Sequence, residues 1–331
     1  MPADPMKTHV VKPLAHTAPL VGCRFDPTGR YVFAGGEDNK IVRWELATGT
    51  KAEFIGHESW IHSLVFHANG ETLISGGYDG RLIWWPATAE KPAPVKTVEA
   101  HQGWIRAMVV SPDGKLLATC GNDLKVKLWN IADGTLVREF LGHERHVYNV
   151  AFHPDGKQLA SGDLTAKFIH WEVDTGKRVR DFVIASMTKY DAGFGADYGG
   201  PYAMTFTADG SRLLAGGITN VSNAFAGVGN PIIVEIDWAA GKDAITHLTK
   251  GNIAGKIFGL VSHPEGFVVG ATGGGGGGHL FFWKPDSKDE FHTLNLGNTC
   301  RDLALHPDNL QLATCHHDKN VRISLMAPKA G

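Results

Sequence analysis

The chain has few cysteines, no long apolar run and almost no net charge. Four cysteines in 331 residues are too few to staple a domain of this size, which suits a reducing compartment. No stretch approaches the roughly 18 apolar residues of a membrane helix, and Met1 to Pro13 has no apolar core of signal-peptide length. With 32 basic and 34 acidic side chains, the chain lacks the basic field that captures nucleic acid. We expect a cytoplasmic protein that binds neither membranes nor nucleic acid.

Helical periodicity is absent as well, and tight turns recur instead. No segment keeps a 3.6-residue apolar period over three turns, whereas short segments such as Val147 to Phe152 have the composition of strands. Seven four-residue turns separate such segments: Asp26-Pro27-Thr28-Gly29, His67-Ala68-Asn69-Gly70, Ser111-Pro112-Asp113-Gly114, His153-Pro154-Asp155-Gly156, Thr207-Ala208-Asp209-Gly210, His263-Pro264-Glu265-Gly266 and His306-Pro307-Asp308-Asn309. Successive turns end 41, 44, 42, 54, 56 and 43 residues apart, a spacing typical of one four-stranded unit per turn.

Three further residue types keep fixed distances from these turns. A tryptophan follows the last turn residue by fifteen positions at Trp44, Trp85, Trp129 and Trp171. A histidine precedes the last turn residue by thirteen positions at His16, His57, His101 and His143. An aspartate stands 22 residues after the histidine at Asp38, Asp79 and Asp123. Such constancy indicates one structural unit repeated along the chain.

This pattern resembles the WD-repeat β-propeller family from about His9 to Leu325. In that family a loop histidine, a strand hydroxyl, a turn aspartate and a strand tryptophan form a buried hydrogen-bond network. Matched residue by residue, the resemblance implies the complete network in two blades: His57, Ser75, Asp79 and Trp85, and His101, Thr119, Asp123 and Trp129. Elsewhere the pattern is broken, because Ala34 replaces the hydroxyl in the first blade and Thr165 replaces the aspartate in the fourth.

The predicted fold is all-β, a single closed seven-bladed propeller with four antiparallel strands per blade, formed by residues 1–331 as one domain. The blades are expected to start near residues 18, 60, 104, 146, 201, 256 and 299. The seventh supplies only three strands, so residues 8–14 are expected to complete it, since closure removes the exposed edges that invite aggregation. A last hairpin symmetric about its turn would set Cys300 opposite Cys315; whether they pair stays open, although cytosolic disulfides are rare.

One pattern imitates a catalytic site. His57, Ser75 and Asp79 are the residue types of a nucleophilic triad. The same types recur in the next blade with Thr119, each time beside a tryptophan whose indole N–H needs a partner. A structural network is therefore favoured over catalysis, and we predict that the protein is not an enzyme.

Two other patterns imitate nucleotide and metal sites. The glycines of 273–278 fit the G-x-G-x-x-G spacing, but a strand follows at 279–283 where phosphate binding needs a helix. Imidazoles suit transition metals, but no motif fixes the histidine and aspartate side chains that could meet on one face, namely His316, His317 and Asp318 with His62 and His146. We predict neither a cofactor nor a metal.

The resemblance places binding on the top face, where the histidine loops and aspartate turns open around the central channel. Counting three and five residues past each histidine, and one before each aspartate, gives an aromatic and basic set: Trp60, His62, Tyr78, Trp104, Arg106, His146, Tyr148, Tyr202, Phe258 and Arg301. The same count places Lys256, Glu37, Asn122 and His317 on this rim. Aromatic and arginine side chains are enriched at protein interfaces, so the set predicts a partner-binding surface.

Two classes of function remain. The first is a non-catalytic scaffold, monomeric by itself, that binds a partner protein or peptide through this face. The alternative is a small-ligand-binding or hydrolytic propeller with its site at the channel mouth, where Asp191 and Asp197 are the nearest acidic candidates. Two insertions, 186–200 and 219–230, are expected as long loops above blades four to six. They carry Tyr190, Phe194, Tyr198 and Phe225, and whether they form a lid stays open.

Overall fold

Seven four-stranded antiparallel sheets form a closed ring in the computed structural model, which describes residues 2–223 and 227–329. The predicted all-β propeller is confirmed. The helical segments of the described residues are two short 3₁₀ turns, Pro5–Lys7 and Ala185–Met187. No helix in this part of the chain is long and apolar enough to cross a membrane.

Each blade is a meander whose innermost strand contacts the innermost strands of both neighbours. From the channel outward, the strands of blades 1 to 3 are Leu20–Phe25, Tyr31–Gly36, Lys40–Glu45 and Lys51–Ile55; Ile61–Phe66, Thr72–Gly77, Arg81–Pro86 and Lys96–Glu99; and Ile105–Val110, Leu116–Gly121, Val126–Asn130 and Leu136–Phe140. Those of blades 4 to 6 are Val147–Phe152, Gln158–Asp163, Lys167–Glu172 and Arg178–Val183; Ala203–Phe206, Arg212–Asn223, Val228–Asp237 and Lys242–His247; and Lys256–His263, Phe267–Gly273, His279–Trp283 and His292–Asn295.

Blade 7 joins the two ends of the chain. Its first three strands are Cys300–Leu305, Gln311–His316 and Asn320–Met326, and the N-terminal strand Thr8–Ala15 pairs antiparallel with the third of these. The predicted closure by the N-terminal segment is confirmed. Because the fourth strand comes from the start of the chain, the ring is sealed by backbone hydrogen bonds rather than by side chains alone.

The seven predicted turns lie on the face opposite the histidine loops, and their last residues have φ between 60° and 82°. Three turn histidines also bond the next blade, a contact that the sequence analysis did not anticipate. The Nε2–H groups of His153, His263 and His306 donate to backbone carbonyls of the next turn at 3.1, 2.8 and 2.9 Å. Each Nδ1 accepts a backbone N–H of its own turn, which places the ring proton on Nε2. The bond from His306 to Gly29 crosses the seam between blades 7 and 1.

The apolar core lies between neighbouring blades. Between blades 1 and 2, Phe33 packs against Phe66 with ring centroids 5.2 Å apart, and Phe54 packs edge-on against Trp85 at 5.7 Å. Phe33, Phe54 and Trp85 are fully buried. Burial of this kind repeats around the ring, so each blade depends on the next for its stability.

The last hairpin does not pair symmetrically. A register shift between Cys300 and Asp302 sets His316 opposite Cys300 and moves Cys315 opposite Asp302. The expectation that Cys300 would face Cys315 was therefore wrong. All four cysteines lie within the described residues as buried free thiols.

Both insertions contain strands, contrary to the expectation of long loops. Thr188–Asp191 pairs with Ala196–Gly199 in a separate two-stranded hairpin. The second insertion lengthens the second and third strands of blade 5 beyond the edge of the sheet. Phe225 lies outside the described residues. The strands satisfy backbone N–H and C=O groups of the insertions by pairing them with each other.

Candidate docking site at the channel mouth

The predicted networks of blades 2 and 3 form continuous hydrogen-bonded chains. In blade 2 the Trp85 indole donates to the Ser75 hydroxyl at 2.8 Å, which in turn donates to His57 Nε2 at 2.7 Å. His57 Nδ1–H then donates to Asp79 at 2.8 Å. Burial opposes ionisation of Asp79, but the bonds from His57 and from backbone N–H groups outweigh it and lower the pKa of this carboxyl. Blade 3 repeats the chain with Trp129, Thr119, His101 and Asp123 at 2.9, 2.7 and 2.8 Å.

Blade 4 contains a third complete network, which the sequence analysis missed. Trp171 donates to Ser161 at 2.8 Å, Ser161 bonds His143 Nε2 at 2.7 Å, and His143 Nδ1–H donates to Asp163 at 2.8 Å. Thr165 occupies the turn position of the aspartate, as expected. The carboxylate comes instead from Asp163, two residues earlier in the chain. The interpretation of blade 4 as lacking the aspartate's contribution was therefore wrong.

Two of the blade 7 residues considered as metal ligands, His316 and Asp318, are engaged by other residues of the protein. His316 is fully buried, bonds the Thr314 hydroxyl through Nε2 at 2.8 Å and donates from Nδ1 to the Asn298 carbonyl at 2.9 Å. Asp318 forms an ion pair with Arg322. His317 is exposed. Among residues 2–223 and 227–329, no group of three or more His, Cys, Asp or Glu side chains could hold a metal ion.

The side chains at the channel mouth are set there by β-bulges. In the innermost strands of blades 2, 3, 4 and 7 the register shifts after the first residue, and in blade 6 it shifts after the second. The residues left unpaired are His62, Arg106, Tyr148, Phe258 and Arg301. A bulge leaves one residue outside the ladder and re-aims its side chain, which is why bulges are common beside functional sites. Five of the ten predicted residues are thus presented by one repeated backbone feature.

Rings stack along the mouth between blades 2 and 3. The Tyr78 N–H donates to the Trp60 carbonyl at 2.8 Å, and the two rings lie 6.0 Å apart. The Tyr78 ring then lies flat against Trp104 of the next blade at 4.0 Å, with an interplanar angle of 2°. His62 stacks on Tyr78 at 5.8 Å, and burial followed by the charge of Arg106 lowers the pKa of His62 to about 4.

The stack continues through cations and tyrosines into blades 4 to 6. The Arg106 guanidinium lies 4.7 Å from the ring centroids of both Trp104 and Tyr148, and its Nε donates to the Asn122 amide oxygen at 2.8 Å. Tyr148 is 5.3 Å from Tyr202, which is 5.5 Å from Phe258. We call the connected set the mouth cluster: Trp60, His62, Tyr78, Trp104, Arg106, Tyr148, Tyr202, Lys256 and Phe258.

Lys256 connects the mouth cluster to the inserted hairpin. Its ammonium donates to the Tyr198 hydroxyl at 2.8 Å and lies 4.7 Å from the Tyr202 ring centroid. Asp197 of the hairpin bonds Arg145 of blade 4 at 2.9 Å, and Lys189 donates to the Val221 carbonyl at 2.6 Å. These contacts fix the hairpin as a wall beside the mouth.

The remaining side of the mouth is neutralised by ion pairs. Arg301 is bonded to Glu37, and Arg24 inside the channel lies 3.2 Å from Asp302. A cavity of about 140 Å³ continues below the mouth between Arg24, Arg106 and Asp302. His146 is exposed on the rim, where partial burial and then Arg106 lower its pKa.

Comparison with known families agrees with this architecture. The family described as "WD domain, G-beta repeat" matches residues 8–45, 49–86, 92–130, 134–171 and 290–323, more than half of the chain. The chain belongs to the WD-repeat family. The unmatched stretch, 172–289, contains blade 5 and most of blade 6, where other contacts replace the WD-repeat network. There His247 Nε2 lies 2.9 Å from a Glu235 carboxyl oxygen, and the Trp283 indole donates to the Leu248 carbonyl at 2.8 Å.

Curated WD-repeat relatives are similar over part of their length. An uncharacterized WD repeat-containing protein of Schizosaccharomyces pombe is 27% identical over 147 residues, 41% of this chain and 40% of the relative. Nuclear distribution protein PAC1 of Gibberella zeae is 34% identical over 89 residues, 26% of this chain and 19% of the relative. A Lissencephaly-1 homolog of Heterostelium pallidum is 44% identical over 57 residues, 17% of this chain and 13% of the relative. The chain thus spans less than half of each of these proteins.

Proposed function

We propose that this chain is a non-catalytic scaffold that binds a partner protein or peptide across the mouth cluster. The observation that carries the proposal is the exposure of Trp60 and Trp104, which are 40% and 41% exposed, whereas every other tryptophan is at most 4% exposed. Tryptophan is the residue type most enriched at binding hot spots. Two exposed tryptophans on one rim are a feature typical of an interface.

The packing of the rings also favours binding. Trp104 is held by the stacked ring of Tyr78 and by the nearby Arg106, and Tyr78 is held by Trp60 and His62. Rings that are already ordered lose little side-chain entropy when a partner covers them. The mouth cluster is therefore preorganised, and most of its contact energy is available for affinity.

The hydrolytic alternative has less support, because the carboxylates near the mouth are already engaged. Asp302 accepts from Arg24 and from the N–H groups of Cys23 and Leu303, at 3.2, 2.9 and 2.8 Å. Glu37 and Asp197 are held by arginines, and Asp191 accepts a backbone N–H of its own hairpin. General acid–base hydrolysis needs a carboxyl group within reach of the substrate proton. None of these four is free for that task.

Quantitative affinity capture from a lysate of the source cells tests the proposal. The bait proteins are the full chain, a Trp60→Ala/Trp104→Ala variant and a Leu136→Ala control, in which Leu136 is 49% exposed near the opposite face. We expect the specific partners of the full chain to be retained by the control and lost by the double variant, provided that all three unfold at similar temperatures. Equal capture by all three baits would reject the mouth cluster as the docking site.

A further inference from the structure

The charges around the mouth are balanced on one side only. Four cations border it: Arg24, Arg106, Lys256 and Arg301. Arg301 and Arg24 have carboxylate partners in Glu37 and Asp302. Arg106 bonds the neutral amide of Asn122, and Lys256 bonds the neutral hydroxyl of Tyr198. Within the described ranges, no carboxylate lies at ion-pair distance from either of these two cations, so the side formed by blades 3 to 6 carries uncompensated positive charge.

The neighbouring polar groups do not supply a negative charge. Burial raises the pKa of the Tyr78, Tyr148 and Tyr202 hydroxyls, so these groups stay protonated at neutral pH. A protonated phenol can donate a hydrogen bond. These hydroxyls therefore leave the positive charge of Arg106 and Lys256 uncompensated, with aromatic rings between the two cations.

The spacing of the two free cations defines where an anion would sit. Arg106 lies 4.7 Å from the Tyr148 ring centroid, Lys256 lies 4.7 Å from the Tyr202 centroid, and the two rings are 5.3 Å apart. Each cation therefore lies against one ring of the tyrosine pair. A carboxylate that reaches these cations beside the rings would gain charge-assisted hydrogen bonds, which are stronger than neutral ones.

We propose that the partner is a peptide segment carrying an aspartate or glutamate, whose carboxylate is seated between Arg106 and Lys256 beside Tyr148 and Tyr202. This inference rests on the proposed function, because it names the chemistry of the partner at the same surface. Charge complementarity selects the acidic side chain, and the stacked rings of Trp60 and Trp104 take the flanking apolar residues.

Selection from a random 12-residue peptide library on the immobilised full chain supplies the probe. Selected peptides are synthesised with a fluorophore, and their dissociation constants are measured by fluorescence polarisation. We expect them to share an acidic residue, and we expect its replacement by Gln or Asn to weaken binding about tenfold or more. Lys256→Gln should weaken the acidic peptide similarly and leave the amide peptide almost unchanged, since the two substitutions remove the same interaction.

Matched variants distinguish the loss of a positive charge at the mouth from a loss of folding. Lys157→Gln removes an exposed lysine near the opposite face and should leave affinity unchanged. Arg106→Gln is the second test of the same pocket and decides the result if Lys256→Gln fails to fold, as judged by its unfolding midpoint. Peptides without acidic residues, or equal affinity of the acidic and amide forms, would overturn the inference.

The outcomes also distinguish this inference from the proposed function. Peptides that require Trp60 and Trp104 but show no acidic preference would overturn the inference and leave the docking site intact. Peptides that bind the Trp60→Ala/Trp104→Ala variant as well as the full chain, or a failure to select any peptide, would count against both.

Discussion

The interior of blades 2 to 4 and the mouth cluster use the same kinds of side chain in opposite ways. In the interior, Trp85 is fully buried, and its indole N–H, the Ser75 hydroxyl and the His57 ring are paired in sequence down to a carboxylate. At the mouth, Trp104 is 41% exposed, and the nearby Arg106 finds only an amide oxygen and ring faces. The two tryptophans are nineteen residues apart in the chain.

The contrast separates stability from recognition. A buried polar group costs free energy unless it is hydrogen-bonded, and the interior networks of blades 2 to 4 pair their histidine, hydroxyl and indole groups accordingly. An exposed rim is under no such constraint, and its cations and ring faces are available to a partner. The comparison predicts that interior substitutions change the free energy of unfolding, whereas substitutions at the mouth change affinity.

The largest effect is expected at Ser75, where one hydroxyl serves two partners. Ser75→Val leaves His57 Nε2 and the Trp85 indole N–H buried without a partner, a loss of roughly 2 to 6 kcal/mol at about 1 to 3 kcal/mol for each group. Ser75→Thr keeps the hydroxyl, as Thr119 does in blade 3, and serves as the control. Chemical denaturation measures both, and equal stability of the Val and Thr variants would break the interior side of the comparison.

A smaller effect follows from the protonation of His316. Burial and then the charge of Arg322 lower the pKa of this ring to about 4 from its ordinary 6.5. The unfolded chain takes up the proton below pH 6.5 while the folded chain stays neutral. The stabilising contribution is therefore complete above pH 6.5 and is lost as the pH falls toward 4, at about 1.4 kcal/mol per pH unit.

Replacing the histidine should remove this pH dependence. We expect His316→Gln to flatten the plot of unfolding free energy against pH between 6.5 and 4.5. A slope that stays unchanged in His316→Gln would contradict this account of the buried ring.

The smallest of the three effects on stability is expected in blade 4, where the Thr165 hydroxyl donates to the Asp163 carboxylate. Asp163→Ala leaves the buried His143 Nδ1–H without its acceptor and should cost about 1 to 3 kcal/mol. Thr165→Val removes a bond of 2.8 Å to the same carboxylate but leaves no buried polar group unpaired, so its loss should stay near 1 kcal/mol. Denaturation curves of the two variants give the order, and a greater loss at Thr165 would contradict the assignment of Asp163 to the network.

Much of the fold was predictable because local turn chemistry repeats. Each of the seven turns ends in a residue of positive φ, and Gly or Asn at that position is visible in the sequence. The closing strand was predictable from a count, since blade 7 lacked one strand and an unassigned strand-like segment stood at the N-terminus. The two inserted hairpins were not predictable, because their strand pairing depends on how the insertions are placed beside the blades.

Asp163 was missed because the aspartate was expected at a fixed distance of 22 residues after the histidine. It stands at the second-strand position that is Gly77 in blade 2, and a Cβ at Gly77 would lie 2.5 Å from Asp79 Oδ1 and 2.6 Å from His57 Nδ1. A side chain at this position therefore points straight at the histidine. The visible signal was an acidic residue where blades 2 and 3 have glycine.

The residues of the mouth were placed by counting, but their mutual arrangement was not predictable. The bulges that expose His62, Arg106 and Tyr148 depend on backbone pairing between strands, which single-sequence patterns do not encode. The same bulge in blade 7 displaced Cys315 from Cys300. Charge balance was also hidden, because Glu37 and Arg301 are 264 positions apart and meet only across the seam of the ring.

Two tryptophans of blade 3 test the separation of stability from recognition most directly. The free energy of unfolding and the affinity for a library-selected peptide are measured for Trp104→Ala and Trp129→Phe. We predict that Trp104→Ala loses affinity at least tenfold, and that Trp129→Phe loses about 1 to 3 kcal/mol of stability with its affinity unchanged while folded. Losses of affinity and stability that rise together in both variants would contradict the account.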